Sequence, residues 1–546
     1  MNKFGKALGY DPIEKQTSVK TELVAGVVTF LAMAYILTVN PNQLFGSPTA
    51  SAYWSSAFIA TALGAVIGTL LMAFVAKMPL AQASGMGLNS MLGGMIGGWS
   101  AYNAKFTPGQ AFFLVLISGL LFLALSVIKI KGKTFRELVF DGMPIAVRTA
   151  ISIGIGLFIA YIGFQNAGII VENAYTQVGF VNFTIWENTQ IIQDGNGTPF
   201  AGPAACTAIV AFIGLFLIAI LDKLKVKGSV IFGIIGATLI GIPFGVTNLE
   251  VLNGQTPGIS WKFWENFGTF FTAGSAEYTQ EIINGVPQVL EDGTPKMIEI
   301  AGSGSVFGSF TNVFTGEGLI PAGATVFTII MIIITLCMID MFDTMGTIVG
   351  CCGGNRILSD ENNKPHNYGK IMLCDAIATC SGAMLGTSTV TTFVESGSGV
   401  SAGGRTGLTA LTTASLFFLA MFAMPLFAVI PSAATASALI YVGVLIMKNN
   451  VKNVDFSNAI AATTAFLTMV VMVLSYSITT GIGVGMISYT VMAIIAYVVE
   501  IIKYSVQKKK AADGQEIEKP KWPVSIIAII VTVLFVIYFF VPATLF

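Results

Sequence analysis

Apolar runs close to the length that crosses a lipid bilayer, about 20 residues, recur along this 546-residue chain from end to end. A first set occupies residues 23–40, 54–76, 85–99, 110–130, 144–163, 204–221 and 228–246. A second set occupies residues 322–349, 369–386, 387–401, 407–430, 433–448, 457–477 and 480–502. Only 10% of the residues are charged, against about 25% in soluble domains. The sequence therefore predicts an all-α polytopic membrane protein.

The two sets of seven segments are expected to have opposite orientations in the membrane, because each contains an odd number of crossings. The chain is thus predicted to form two inverted repeats of seven segments, 23–246 and 322–503, joined by a polar region at 247–321. Many secondary transporters are organised in this way. Residues 504–546 supply a linker and a further hydrophobic helix at 523–545, and whether that helix crosses the membrane is left open.

Lysine and arginine residues collect on one side of this arrangement, and an excess of positive residues marks the cytoplasmic side of a membrane. That side holds Lys3, Lys6, Lys15, Lys20, Lys129, Lys131, Lys133, Arg136, Lys223, Lys225, Lys227, Arg356, Lys364, Lys370 and the run Lys508–Lys510. Only Lys105, Lys262 and Lys296 fall on the other side. We therefore expect a multi-pass protein of the cell membrane in which residues 1–22 and the linker after residue 503 are cytoplasmic and the region 247–321 is extracellular.

The third segment of each repeat is interrupted by small and polar residues. In the first repeat it reads LAQASGMGLNSMLGGMIGGW, and in the second it reads TSTVTTFVESGSGVSAGGRTG from residue 387. The β-branched residues before Glu395 favour an extended chain, and glycines follow, so we expect a short strand and then a half-helix. Irregular backbone at membrane depth is tolerated where it is buried in protein or lines a cavity, and such breaks form binding sites in many transporters. Glu395 and Asn89 are therefore candidate binding residues near the two breaks.

The eighth segment carries a polar stripe. Its members Asp340, Asp343, Thr344 and Thr347 are spaced i, i+3, i+4 and i+7, which places them on one helical face. An aspartate at the centre of a membrane helix costs roughly 2.5–3.5 kcal/mol on insertion scales, so acids at this depth are read as functional by default. For Asp375, in the ninth segment, an interfacial position and a functional role both stay open.

Five motifs, in order along the chain, resemble the AzgA-like purine permeases, a branch of the nucleobase–ascorbate (xanthine/uracil permease) transporter superfamily. They are AGVVTFLAMAYILTVNP, ASGMGLNSM, IGFQNAG, DMFDTMGTIVG and GTSTVTTFVESGSGVSAGGRTGLTA. The resemblance implies fourteen segments in which a core domain, 23–130 and 322–430, moves against a gate domain, 144–246 and 433–503, by an elevator or rocking motion. It also implies proton-coupled import of guanine, hypoxanthine or adenine.

The same resemblance implies roles for individual residues. Glu395 matches the acid that holds the base, Asn89 the amide of the third segment, and Phe393 a neighbouring aromatic position. Asp340 and Asp343 both lie where relatives have an acidic substrate ligand, and the choice between them stays open. Relatives that carry uracil often have a histidine where this chain has Thr347, so Asp340, Asp343 and Thr347 are the candidates for proton coupling.

These residue types suit a purine. A carboxylate accepts two parallel N–H bonds, an amide donates and accepts, and an aromatic ring covers the flat face of the base. Acids that lack a basic partner within the membrane favour the protonated form, as a proton-coupled cycle requires. A sodium-coupled nucleobase permease and a transporter of anions or other small solutes on the same fold remain as alternatives, and an enzyme is not expected.

The partners that we expect are a purine nucleobase, H⁺ as the coupling ion and the lipid bilayer. No cofactor, metal or nucleic acid is expected, and whether the chain forms a homodimer is left open.

Overall fold

The structure of the chain is a computed structural model. It describes residues 3–46, 51–97, 105–130, 133–134, 143–173, 177–184, 191–193, 199–201, 205–226, 228–253, 259–272, 278–280, 282–283, 286–287, 297–299, 304–321, 324, 326–352, 357–359, 365–476, 478–510 and 519–540.

The fold is predominantly helical. In the first half the helices are α1 (Lys3–Ala7), α2 (Val19–Met33), α3 (Ile36–Phe45), α4 (Trp54–Leu71), α5 (Met86–Gly97), α6 (Pro108–Val127), α7 (Ile145–Asn166), α8 (Ala205–Lys223) and α9 (Ser229–Gly241). They are followed by α10 (Phe263–Thr272), α11 (Val306–Asn312), α12 (Val326–Cys352), α13 (Tyr368–Leu385), α14 (Ser396–Ser401), α15 (Gly407–Ala420), α16 (Met424–Ala428), α17 (Ser432–Asn450), α18 (Ala459–Leu474), α19 (Ile478–Lys510) and α20 (Ile526–Phe540). Helices α10 and α11 lie within the region predicted as an extracellular loop.

Seven stretches of the described chain are long and apolar enough to cross a membrane, by length and composition. They are Val19–Phe45, Trp54–Ala76, Pro108–Val127, Ile145–Asn166, Ala205–Lys223, Gly407–Ala428 and Thr480–Lys508. Shorter apolar helices include Ser229–Gly241, Ser432–Lys448, Ala459–Leu474 and Ile526–Ile537. A helical polytopic membrane protein is thereby confirmed, whereas the count of fourteen crossings in two inverted repeats stays a prediction.

The strands are short and pair in twos. They are β1 (Gln82–Ser84), β2 (Lys129–Ile130), β3 (Lys133–Thr134), β4 (Ile170–Asn173), β5 (Gln177–Phe180), β6 (Ile191–Gln193), β7 (Pro199–Ala201), β8 (Tyr278–Gln280), β9 (Ile282–Ile283), β10 (Val286–Pro287), β11 (Met297–Glu299) and β12 (Val390–Thr392). Most pairs join neighbours in sequence, namely β2–β3, β4–β5, β6–β7 and β9–β10, and β8 pairs with β11.

The pair β1–β12 joins the two broken segments. It is antiparallel, with Gln82 opposite Thr392 and Ser84 opposite Val390. Each strand is followed by a short helix, α5 after β1 and α14 after β12, so both segments have the strand and half-helix that the sequence predicts. The backbone groups of the extended residues bond to each other across the pair, which meets the requirement for paired backbone at membrane depth.

Glycines let helices approach this strand pair closely. A Cβ atom added at Gly382 of α13 would lie 2.5 Å from Cγ2 of Val390 in β12, and one at Gly68 of α4 would lie 2.9 Å from its Cγ1. A Cβ at Gly64 would also meet Val390, at 3.1 Å. Val390 therefore lies between helices α4 and α13, and there is no room for a side chain at the glycines that face it.

A buried acid that the sequence analysis did not identify connects α2 to the segment between α14 and α15. Glu22 is fully buried, and its carboxylate accepts hydrogen bonds from the backbone N–H groups of Arg405 (3.0 Å) and Thr406 (3.3 Å) and from the Thr409 hydroxyl (2.6 Å). The Arg405 guanidinium donates to the carbonyls of Val400 (2.6 Å) and Gly404 (2.7 Å). An acid thus stabilises the N-terminus of α15 while a base stabilises the C-terminal end of α14, as the helix dipoles favour.

The contacts divide the chain into two compact units. The first comprises residues 1–123, 159–324 and 328–442, and it contains both broken segments. The second comprises residues 124–158, 325–327 and 443–546. Within the second unit α20 packs on α19, where the hydroxyls of Thr490 and Thr532 lie 2.8 Å apart. The predicted core and gate boundaries remain a prediction.

We expect Gly382→Ala to destabilise the protein by about 1–3 kcal/mol, the usual cost of overpacking. The added methyl group would force Val390 or the strand backbone to move. The measurement is the thermal unfolding midpoint of the purified protein in detergent. Gly369→Ala is the matched control on the same helix, because a Cβ there meets nothing within 4 Å. Equal unfolding midpoints for the two variants would contradict the close approach.

Candidate functional site

Glu395 lies immediately before α14, as its N-cap residue, and is 6% exposed. The Tyr35 hydroxyl donates to Glu395 Oε1 at 2.5 Å, and the same hydroxyl lies 3.5 Å from the sulfur of Met86, the first residue of α5. The starts of both half-helices therefore contact one hydroxyl group. The second carboxylate oxygen, Oε2, has no hydrogen-bond partner among the described residues. It is a buried acceptor that a ligand can use.

Tyr35 reaches Glu395 because the first apolar run is broken. Helix α2 ends at Met33 and α3 begins at Ile36, so Tyr35 lies at the junction of the two helices. Residues 23–40 were predicted as one segment, and Tyr35 was not among the predicted site residues. The available signal was a tyrosine six residues before Pro41 in an otherwise apolar run.

Asn89 lies one turn into α5 and is fully buried. The hydroxyl of Ser388, two residues before β12 begins, donates to Asn89 Oδ1. This bond orients the amide. Its donor atom, Nδ2, has no hydrogen-bond partner among the described residues. The two half-helices thus each present one unused polar atom, an acceptor on Glu395 and a donor on Asn89.

The polar stripe of α12 divides into two parts. Asp340 is fully buried, and its Oδ2 accepts a hydrogen bond from Thr379 of α13 at 3.0 Å. Asp343 is half-buried and close enough to Glu395 for their carboxyl groups to interact electrostatically. Asp343 thus lies within electrostatic reach of Glu395, and Asp340 bonds to the neighbouring helix.

Asp375 is fully buried within the protein. Its Oδ2 accepts from the Thr344 hydroxyl at 2.8 Å. Helices α12 and α13 thus exchange bonds reciprocally: each carries an aspartate followed four residues later by a threonine, and each aspartate is bonded by the other helix's threonine. We call these two bonds, Thr379 to Asp340 and Thr344 to Asp375, the α12–α13 brace; in it each buried acid accepts from a neutral donor.

The brace continues into the strand pair. Gln82 of β1 donates through Nε2 to Asp375 Oδ1 at 2.9 Å, and the Thr392 hydroxyl of β12 lies 3.4 Å from the same oxygen. Gln82 and Thr392 are opposite each other in the ladder. Asn89 was predicted as the amide of this segment, and Gln82 was not, although both amides stand in its sequence.

The remaining predicted site residues are Phe393 and Thr347, and both are buried. Phe393 is 4% exposed, and its backbone N–H donates to the Ala81 carbonyl at 3.0 Å, extending the strand contact by one residue. Thr347 is 8% exposed, on the same face of α12 as Asp343. Among the described residues, no group of three or more His, Cys, Asp or Glu could hold a metal ion.

The chain is similar in sequence to known permeases. A profile described as "Permease family", that of the xanthine/uracil permeases, matches residues 297–484. The guanine/hypoxanthine permease PbuO of Bacillus subtilis strain 168 is 33% identical, over 88% of this chain and 92% of its own length. The adenine permease AdeP of Escherichia coli strain K12 is 31% identical, over 88% of each chain.

The chain belongs to the purine permease branch of this family. The expectation drawn from the five motifs is confirmed. The fold of the permease is also similar to a solved structure, the transmembrane domain of a cyanobacterium bicarbonate transporter, BicA. The two share a TM-score of 0.52 at 15% identity, over 85% of this chain and 97% of that domain. This likeness concerns the fold alone.

We expect Thr344→Val and Thr379→Val each to lower the thermal unfolding midpoint of the permease. Each change removes a hydroxyl that donates to a buried carboxylate, and an under-satisfied buried group costs about 1–3 kcal/mol. Thr412→Val is the control, because its hydroxyl bonds to the Leu408 carbonyl of its own helix. If all three variants unfold at the wild-type midpoint, the reciprocal brace does not stabilise the helix pair.

Proposed function

We propose that this permease imports purine nucleobases, namely guanine, hypoxanthine or adenine, by proton symport across the cell membrane. The observation that carries the proposal is the pair of unused buried atoms at the two half-helix starts, Glu395 Oε2 and Asn89 Nδ2. A purine edge offers both an N–H donor and a ring or carbonyl acceptor, so it complements this pair. The names of the relatives, permeases for adenine and for guanine/hypoxanthine, support the same substrate class.

In the proposed complex Glu395 accepts N–H bonds from the base while Tyr35 holds its other oxygen. Hydrogen bonds to an ionised acceptor are about twice as strong as neutral ones, so Glu395 would supply most of the recognition. Asn89 Nδ2 would donate to an acceptor on the base, and Phe393 would contribute the aromatic contact that the sequence predicts. An anion is a poor ligand for this arrangement, because a carboxylate would face it.

Proton coupling is proposed to involve Asp343. The substrate is neutral, so the membrane potential does not drive it directly and uphill import requires a co-transported ion. Two ionised carboxylates close to each other repel, and a proton shared between Asp343 and Glu395 would remove that repulsion. Asp340 is the weaker candidate, because Thr379 already bonds to it. Thr347 stays a candidate on sequence grounds, and sodium coupling is the alternative that the experiment below separates.

The proposed transport cycle moves a core against a gate, in an elevator or rocking motion. Within the first unit, the ladder β1–β12, the two half-helices and the α12–α13 brace are joined by the buried bonds described above. We infer that these elements travel together with the substrate. The cytoplasmic N-terminus predicted from the lysine distribution belongs to the same proposal.

We expect Glu395→Gln to abolish uptake of labelled hypoxanthine while the protein still reaches the membrane. The amide keeps the size of the side chain but presents one acceptor oxygen, which Tyr35 occupies. The measurement is initial uptake rate in cells that lack other purine permeases, with surface protein quantified. Glu265→Gln, at an exposed glutamate, is the control. Wild-type kinetics in Glu395→Gln would rule out the proposed site.

A competition panel on the wild-type permease tests the substrate class. Unlabelled guanine, hypoxanthine and adenine are expected to reduce uptake of labelled hypoxanthine more than uracil or xanthine does. Stronger competition by uracil or xanthine than by guanine would contradict the proposed substrates.

We expect uptake to rise as the external pH falls from about 8 to about 6, the range in which a buried carboxyl group exchanges protons. A protonophore should abolish accumulation, and replacement of sodium by potassium should not change it. Asp343→Asn should flatten the pH profile because the variant side chain does not titrate, while Asp455→Asn, at an exposed aspartate, should keep the wild-type profile. If uptake stops when sodium is removed, and a protonophore has no effect on uptake at clamped voltage, the coupling ion is sodium and not the proton.

A further inference from the structure

The first unit contains a cavity of about 380 Å³ that is separate from the Glu395 site. Its walls come from α3, from the C-terminal residue of α7, from the chain after α9 and from the turn between α16 and α17. Residues at its rim, including Asn166, Asn248 and Ser432, are exposed. The cavity is therefore open to solvent.

The lining of this cavity is uncharged and combines apolar side chains with polar ones. Four carboxamide residues line it, Asn42, Gln43, Asn166 and Asn248, and no charged side chain is found among the described lining residues. The indole N–H of Trp54 donates to Asn42 Oδ1 at 2.6 Å and so orients that amide. Both amide atoms of Gln43 are buried and have no hydrogen-bond partner among the described residues. Buried polar atoms are almost always paired in proteins, so an unpaired donor and acceptor on a residue that lines a cavity favour a ligand there.

One face of α3 connects the cavity to Glu395. The residues of α3 that line the cavity, Val39, Asn42, Gln43 and Gly46 at its end, are spaced i, i+3, i+4 and i+7, which is one helical face. Tyr35, four residues before Val39, lies on that same face and donates to Glu395. At 1.5 Å per residue, Gln43 lies about 12 Å along the helix from Tyr35.

We propose that this cavity is a second, outer binding site for the same neutral base, occupied before the base reaches Glu395. The inference rests on the proposed function. An amide donates and accepts, so Gln43 complements an edge of a purine, and a wall without charges selects a neutral heterocycle over a nucleotide or an inorganic ion. The C-terminal end of α3 lies on the extracellular side if the N-terminus is cytoplasmic, which makes this the entry side.

The test uses a cysteine at the rim as a reporter. Ser432→Cys is exposed to a membrane-impermeant maleimide added to intact cells, and labelling is followed with and without hypoxanthine. A ligand at about ten times its dissociation constant leaves about a tenth of the sites free, so hypoxanthine should slow labelling about tenfold. The wild-type chain, whose cysteines are all buried or half-buried, supplies the background. Glu265→Cys, on the predicted extracellular side and not among the lining residues, should be labelled without protection.

Two double variants, each with a second substitution added to Ser432→Cys, distinguish this site from the Glu395 site. Protection of Ser432→Cys should persist when Glu395→Gln is added, because the outer site does not use Glu395. With Gln43→Leu added, the hypoxanthine concentration that gives half-protection should rise about fivefold to tenfold, since two amide bonds are lost. Gln43→Leu alone should raise the apparent KM for uptake and leave the maximal rate nearly unchanged, the pattern of lost ground-state binding.

Three outcomes would overturn the outer site: no protection at Ser432→Cys, protection that disappears with Glu395→Gln, or equal protection at Glu265→Cys. Failure of the proposed function is a different result. It appears as absence of purine uptake by the wild-type permease, which the labelling assay does not depend on.

Discussion

The antiparallel pairing of β1 with β12 is the interaction on which the rest of the site depends. Unpaired backbone is prohibitive at membrane depth unless protein surrounds it, and each strand satisfies the other across three residue pairs. The pairing brings together segments about 300 positions apart in the chain and points the starts of α5 and α14 at one tyrosine hydroxyl. Glycines at 68 and 382 let the flanking helices close over the pair. Without the ladder, Glu395 and Asn89 would have no common environment.

The buried acids fall into two kinds. Glu22 and Asp375 receive hydrogen bonds on both carboxylate oxygens, from backbone amides, threonine hydroxyls or the Gln82 amide, so protein groups replace the water that they lose. Glu395 keeps one oxygen unused, and Asp343 lies in its field. Charge within the membrane is therefore not evidence of ligand binding by itself. An acid whose acceptor capacity is only partly filled by the protein is the more informative sign.

Much of the fold was predictable from sequence because membrane crossings are local. The apolar runs at 54–76 and 369–386 appear as Trp54–Ala76 and Tyr368–Leu385, and the strand before Glu395 follows from its β-branched residues. The contacts of Tyr35, Gln82 and Glu22 were not predictable, because their partners lie 360, 293 and about 380 positions away. No periodicity reports which distant residue a side chain meets. The polar stripe on α12 was likewise visible in the sequence. Which of its residues contact α13 and which lie near Glu395 depends on the rotation of α12 about its axis, which the sequence does not give.

The reciprocal bonds between α12 and α13 also determine how these helices are aligned lengthwise. Asp340 meets Thr379 and Thr344 meets Asp375 in the observed alignment. Sliding one helix by a single turn, about 5.4 Å, in one direction would set Asp340 against Asp375, and the two hydroxyls would face Leu336 and Ile371. Sliding it the other way would set threonine against threonine and leave the acids facing Ala383 and Ile348. Each one-turn shift therefore loses both bonds at once, so the two bonds together favour a single lengthwise alignment of α12 and α13.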